Sequence, residues 1–450
     1  MEYRFKTIIA LSALILVNTT AVGLPFNFIE TRSMGMGGSG VASARAEAAP
    51  LFNPALLSIV EESDKYTMIM PTIGAHQADP SQLMKSYHQF QDGKYIDKLQ
   101  SDVVALKAAT STLTLDYLAI NIAANAIGNP VNGSLTLLSG QLSNLNNKPI
   151  AVDGGIATVI SLPRKNLGRA FYTQVNIVAG GIFNYTDADT LKNYAATAES
   201  CASATNIIIV PNIASCLELA TFDTNSLTSG INIRGVVLGE IGFAISQVYE
   251  IAHHDIAIGI TPKIISAQLF DVLFDVKNTN TTNVNKSDYE ARYTIANFDA
   301  GFAYDYRNGW RTGLVVKNVL PYKFSFKSIP SGAPTGSSPV ENGHTLFFSP
   351  QARVGVSRVT SWSAISLDVD LTRNDPAGLE DSTQYIALGA ELYTFTWAQL
   401  RAGYRIDRVN RLRNVASFGL GLANAGILAD LAVSGNENEI GASFQFGFKF

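Results

Sequence analysis

From residue 440 to the end of the chain, Ile440, Ala442, Phe444, Phe446, Phe448 and Phe450 alternate with Gly441, Ser443, Gln445, Gly447 and Lys449. Successive side chains on a strand point to opposite sides, so this segment has one oily, aromatic face and one small or polar face. The same split recurs upstream. Phe298, Ala300, Phe302, Tyr304 and Tyr306 oppose Asp299, Gly301, Ala303 and Asp305, and Ile365, Leu367, Val369 and Leu371 oppose Ser366, Asp368 and Asp370. Two further runs, from Ile386 to Leu392 and from Ala398 to Ile406, repeat it. A soluble sandwich would alternate too, but the connections argue against one. Short links at 163–168, 250–254, 307–309, 360–361, 394–396 and 424–426 are interleaved with longer ones at 76–150, 187–230, 277–290, 328–344, 374–383, 408–411 and 435–438. This is the order of an all-β transmembrane antiparallel barrel of about fourteen strands, with tight turns on one rim and excursions on the other. Trp310, Trp362 and Trp397 all fall beside short turns, where an interfacial aromatic girdle belongs.

Composition agrees with lipid as one of the solvents. Only 16% of the 450 residues are charged while 47% are hydrophobic, and Gly (36), Phe (23) and Tyr (17) are plentiful. A net charge of -4 without like-charge runs supplies no field for nucleic acid, so none is expected as a partner. Two cysteines are too few for a zinc ribbon or an iron–sulfur cluster, and neither cofactor nor metal is expected. Arg4 and Lys6 precede an apolar run ending at Val17, followed by small residues to Ala21-Val22-Gly23. Residues 1–23 therefore read as a cleavable signal peptide, and the expected destination is the outer membrane of a Gram-negative bacterium, reached through the barrel-assembly machinery. No later stretch is apolar for long enough to cross a bilayer as a helix. The barrel is then residues 61–450, with large outer insertions at 77–150 and 187–230.

Residues 24–60 do not read as a wall strand. Gly35, Gly37 and Gly40 formally match a dinucleotide fingerprint, yet no buried strand precedes them and the chain leaves the compartment that holds dinucleotides. Ser39 lacks the flanking glycine pattern of a nucleophile elbow. A compact lumen plug is the better reading, because a barrel this wide must hold either water or a plug. The Gly35-Met36-Gly37-Gly38-Ser39-Gly40 stretch, the Asn53-Pro54-Ala55 triplet, the terminal Phe450 and the strand count together resemble the FadL-type outer-membrane channels. Within that group, Arg32 to Gly38 with Ala49 to Leu57 is most similar to the TraF-like family of conjugative-transfer outer-membrane proteins. The resemblance is sharp over 32–57 and architectural elsewhere. It implies an N-terminal hatch containing Gly35, Gly37, Gly38, Gly40, Asn53, Pro54 and Ala55, and an association with plasmid transfer and its envelope proteins. By its FadL side it implies outer loops that collect a hydrophobic ligand and a hatch that moves to let it through.

Charges on the inward face, among them Asp368, Asp370, Glu391, Arg401 and Arg405, mix both signs. Pairing between plug and wall explains this better than a selectivity filter, which would show single-sign rings. The first insertion has helical periodicity through Leu83, Tyr87, Phe90, Ile96, Leu99, Val103 and Leu106, and continues into an apolar stretch. A helical cap with its own core is the plain reading. The functional one makes Leu113, Leu115, Leu118, Ile120 and Ile122 a ligand groove. Cys201 and Cys216 share the next excursion in an oxidising compartment, so a structural disulfide is expected, with a reactive thiol pair as the alternative. The histidines, His76 and the His253-His254 pair among them, fit no metal spacing and read as turn residues. No catalytic motif emerges, and an enzyme is not expected.

Overall fold

The computed structural model describes residues 29–60, 66–111, 117–202, 210–251, 254–276, 290–327, 344–374, 376–395 and 397–450. The strands are β1 (Thr67–Ala78), β2 (Pro149–Leu162), β3 (Gly168–Asn184), β4 (Gly230–Ile251), β5 (His254–Asp275), β6 (Glu290–Asp305), β7 (Trp310–Lys317), β8 (Tyr322–Ser325), β9 (Thr345–Phe348), β10 (Gln351–Val359), β11 (Ser363–Asp370), β12 (Tyr385–Phe395), β13 (Ala398–Asp407), β14 (Val415–Asn424), β15 (Ile427–Gly435) and β16 (Glu439–Lys449). All except β8 and β9 form one closed antiparallel barrel, sealed by pairing of β1 with β16. That is the fourteen-strand wall read from the alternation. Ile365, Leu388, Leu400, Phe418, Leu431 and Phe444 of the oily faces point outward, while Asp368, Glu391 and Gln445 point into the lumen. Trp310, Trp362 and Trp397 lie exposed on the outer side near the short turns, and Phe450 stacks with Phe448 at the same rim. Among the described residues no helix is long and apolar enough to cross a membrane.

The wall is not of even height. Strands β7 and β10–β16 have 8–11 residues, about what a tilted strand needs to cross a bilayer. Strands β4 and β5 have 22 each. Register matches Asp255 to Asp305 near the short-turn rim, so the extra length of β3–β6 rises at the long-loop rim. There the inward residues turn apolar: Val236 and Leu238 of β4 with Ile265, Ala267 and Leu269 of β5. The β8–β9 hairpin folds onto this wall and seals it with Phe324, Phe326, Leu346 and Phe348.

Above the same rim stands the cap. Helices at Leu83–Asp92, Tyr95–Thr110, Tyr117–Gly128, Ser134–Leu145, Ala188–Ala202 and Val210–Leu219 share one core that includes Leu99, Leu106, Ile127, Leu138 and Phe222. Phe183 at the end of β3 ties that core to the barrel. Cys201 and Cys216 are bridged across a separation of 15 residues, joining the last two cap helices. Closing a loop of this size constrains the unfolded chain by about 3 kcal/mol. Reduction, or Cys201→Ser with Cys216→Ser, should therefore lower the thermal midpoint of the helical circular-dichroism signal. The barrel itself should keep its compact migration in cold SDS; a cap that melts unchanged would count against the bridge as a stabiliser.

Candidate functional site

Residues 29–60 sit inside the barrel near its short-turn half, almost wholly buried. Glu30 begins the segment as a helix cap, accepting from the backbone N–H groups of Arg32 (3.2 Å) and Ser33 (2.6 Å). These donors would otherwise be orphaned at the start of the short helix α1 (Thr31–Gly35). A second helix, α2 (Ala49–Phe52), leads through Asn53 into a single 3-10 turn, Pro54–Leu57. Phe52, Leu56 and Leu57 pack against wall residues Ile69, Val159, Tyr172 and Ala257. Local sequence explains the compactness. Gly37 and Gly38 adopt positive φ (70° and 92°), reversing the chain straight after α1.

One carboxylate dominates the contact with the wall. Glu391 of β12 is fully buried, and its Oε2 accepts from Arg32 Nε (3.0 Å) and Nη2 (2.8 Å). Its Oε1 accepts from Arg45 Nη2 (3.0 Å) and from Arg401 Nε on β13 (2.8 Å). Arg401 Nη1 in turn donates to Asp430 of β15 (2.5 Å). Two guanidiniums of the plug and one of the wall thus converge on one acid. Around the ring, Asp368 accepts from the backbone N–H groups of Gly40 (2.7 Å) and Val41 (2.9 Å). Arg353, paired with Asp370, donates to Gly38 O (3.2 Å), and Lys317 donates to Leu51 O (2.6 Å). The Asn53 amide donates to Val41 O (2.9 Å) and to Phe302 O of the wall (3.0 Å), holding the plug's two halves together and against β6.

Backbone meets backbone at wall positions that lack a side chain. Gly389 and Gly403 face each other across β12 and β13, and added Cβ atoms there would run into Met36 and Gly37 of the plug. Gly259 and Gly301, opposed across β5 and β6, receive Ala55, Pro54 and Asn53 in the same way. Little room is left. The gap between plug and wall beside Ile29, Met34, His76 and Arg405 is about 10 Å³, and one between the wall and the β11–β12 connection, beside Tyr385 and Arg413, is about 20 Å³. Each has room for about one water.

The structure sorts the residues singled out in the sequence. Gly35, Gly37, Gly38, Gly40, Asn53, Pro54 and Ala55 each lie at the plug–wall contact, with Gly35 O and Gly37 N both bonded to Ser417 Oγ. Asp368 and Glu391 bond the plug directly, Arg401 through Glu391 and Asp370 through Arg353. Arg405 instead donates to Glu439 of β16 (3.2 Å), inside the wall. The three described groove residues are split between two sides of one helix. Ile120 is buried in the cap core, whereas Leu118 and Ile122 are exposed on the other side of their helix. Leu113 and Leu115 lie outside the described residues, as do the signal segment and His253. His76 is a correction: it is an inward residue of β1, not a turn residue, with Nδ1 2.9 Å from Asp153 and Nε2 3.1 Å from Glu439. Alternation gave no hint of Arg32 and Arg45 as the partners of Glu391. Inward parity on β10 and β15 could have found Arg353 and Asp430.

A family model described as "F plasmid transfer operon, TraF, protein" matches residues 50–370, from the second half of the plug to the end of β11. The chain belongs to that family. With an apolar outer face on a closed wall and a filled lumen, this member is a plugged outer-membrane barrel. Among solved structures, the toluene transporter TbuX of Ralstonia pickettii is similar in outline, at 12% identity and a TM-score of 0.46, over 96% of this chain and 99% of that one. The toluene transporter TodX of Pseudomonas putida gives 11% and 0.46 over 96% and 100%, and the monoaromatic hydrocarbon channel CymD gives 12% and 0.46 over 95% and 99%. No curated protein matches the sequence.

Proposed function

We propose that the protein is a non-enzymatic envelope component of plasmid transfer in a Gram-negative bacterium. A leader at residues 1–23 exports it and the barrel-assembly machinery inserts it. Its helical cap, facing outward, contacts conjugation or envelope proteins, and the barrel anchors that cap without passing solute. The observation that carries this reading is the bonding of the plug: a carboxylate shared by three guanidiniums, backbone seated on wall glycines, and water-sized gaps. A plug held this way suits a closed anchor. Deleting the gene from a plasmid-bearing donor should lower mating frequency at least tenfold, with recovery on complementation; an unchanged frequency rejects the proposal.

A second reading is passive uptake of a hydrophobic small molecule. The apolar outer lumen, where the β8–β9 hairpin covers Val236, Leu238, Ile265 and Leu269, suits it, because movement of that hairpin would open an oily surface. Uptake of a hydrophobic solute into vesicles holding the purified protein would support this reading.

A further inference from the structure

The connection between β11 and β12 does not stay on its own side of the barrel. Asn374 and Thr383 pair at its base, and Asp370 accepts from the Asn374 amide (3.2 Å) and the Tyr385 N–H (2.9 Å). From this foot the loop reaches Gly180 of β3. A Cβ on either Gly378 or Gly180 would overlap the other's strand or strap, and Glu380 Oε2 lies against Gly180. In the order of the wall, β12 and β3 are seven strands apart in either direction. The loop therefore crosses the full diameter of the mouth. Next to this contact, Ala377 is 2% exposed and buried with Phe324, Phe326 and Phe348 of the β8–β9 hairpin. Strap and hairpin thus pack together in the outer half of the lumen, apart from the plug below.

We propose that the strap carrying residues 376–384 is a proton-sensitive latch, docked on Gly180 while Glu380 is protonated and loosened when Glu380 ionises. The docked Oε2 is enclosed and has no hydrogen-bond partner among the described residues, so ionisation there is disfavoured by lost hydration, which the backbone N–H groups of Glu380 and Gly378 and the charge of Arg413 only partly offset. Around it stand Asp153 of β2, His76 of β1, Arg405 of β13, Arg413 of the turn before β14, and Asp381 and Tyr385 on its own side. Arg234 of β4, the register partner of Gly180, is engaged by Asp271 of β5 at 2.9 Å. Arg405 and Arg413 are likewise engaged by Glu439. Arg413 attracts a charge on Glu380 and Asp153 repels it, each from within a pair of its own, Arg413 with Glu439 and Asp153 with His76, so burial decides. Burial, the largest influence, pushes the Glu380 carboxyl up from 4.5 to about 7.

The direction of the pH effect follows. An acid whose docked pKa exceeds its free value favours docking fully below the free value, loses that advantage as pH rises towards the docked value, and changes little above it. Between pH 6 and pH 8 the undocked fraction should rise about tenfold.

The test is thiol accessibility in the full-length protein, whose two native cysteines are bridged. Ala377→Cys is labelled with a membrane-impermeant maleimide at pH 6 and pH 8, and each rate is divided by that of Glu437→Cys, an exposed site on the same rim. The normalised rate should rise about tenfold in the parent and stay level when Glu380→Gln is added. Adding Gly180→Val should make Ala377→Cys reactive at both pH values. A level rate in the parent, a pH effect that survives Glu380→Gln, or continued protection with Gly180→Val would each overturn the latch.

Discussion

Glu391→Gln should unlock the plug and cost about 3–5 kcal/mol, the range for removing one partner of a buried charge network. The side chain accepts four hydrogen bonds, two on each oxygen, and all come from guanidinium groups. Glutamine keeps the shape but presents two N–H donors where one oxygen stood, so donors face donors in a site with no exposure to water. The charge left behind is worse. Arg32 and Arg401 have side chains 6% and 0% exposed and cannot relax into solvent, whereas Arg45, at 29%, can. Arg45→Ala should accordingly cost far less, about 1 kcal/mol, in keeping with a partly solvated pair. The thermal midpoint for loss of compact SDS migration would report the stability. Ion conductance across a planar bilayer would report the plug, with openings frequent in Glu391→Gln and rare in the parent and in Arg45→Ala. If Glu391→Gln melts like the parent and stays silent, the carboxylate is not what secures the plug.

Why the wall was legible and the lock was not comes down to which physics is local. A strand between lipid and lumen must alternate every second residue, and that period is written into Ile440–Phe450 and the runs before it. The inward parity of Asp368, Asp370, Glu391, Arg401 and Arg405 is legible for the same reason. Parity says only that a side chain enters the lumen. It does not say that Glu391 meets Arg32, 359 positions away, while Arg405 stays within the wall. His76 was misread because the turn formers Asp79 and Pro80 follow it closely, although β1 runs on to Ala78. Periodicity separates the described groove residues: at about 100° per residue, Ile120 points away from both Leu118 and Ile122, which lie on one face. The β8–β9 hairpin eluded the pattern as well. Tyr322, Phe324 and Phe326 alternate like a membrane strand, but their oily side faces a lumen wall that happens to be apolar.

Gly403→Ala should dislodge the plug from the opposite direction, by volume rather than by charge. At this position a Cβ would overlap Gly37 N and Met36 C, and would come within 2.6 Å of Ser417 Oγ. The obstacles are mostly backbone, which cannot rotate aside as a long side chain would. Gly37 sits at φ 70° in the reversal after α1, where moving it would also strain Gly38. Overpacking of this kind costs about 1–3 kcal/mol, and more where the neighbours cannot shift. Either the α1 turn lifts from the wall, breaking the bonds of Gly35 and Gly37 to Ser417, or β13 bows outward between its neighbours. Gly239→Ala provides the control, because an added Cβ there meets nothing closer than 3.9 Å and a strand gains order when glycine is replaced. Gly403→Ala should lower the melting midpoint and raise conductance, while Gly239→Ala should leave both at or above the parent's values. Should the two alanine variants behave alike, the plug is not seated on the wall glycines.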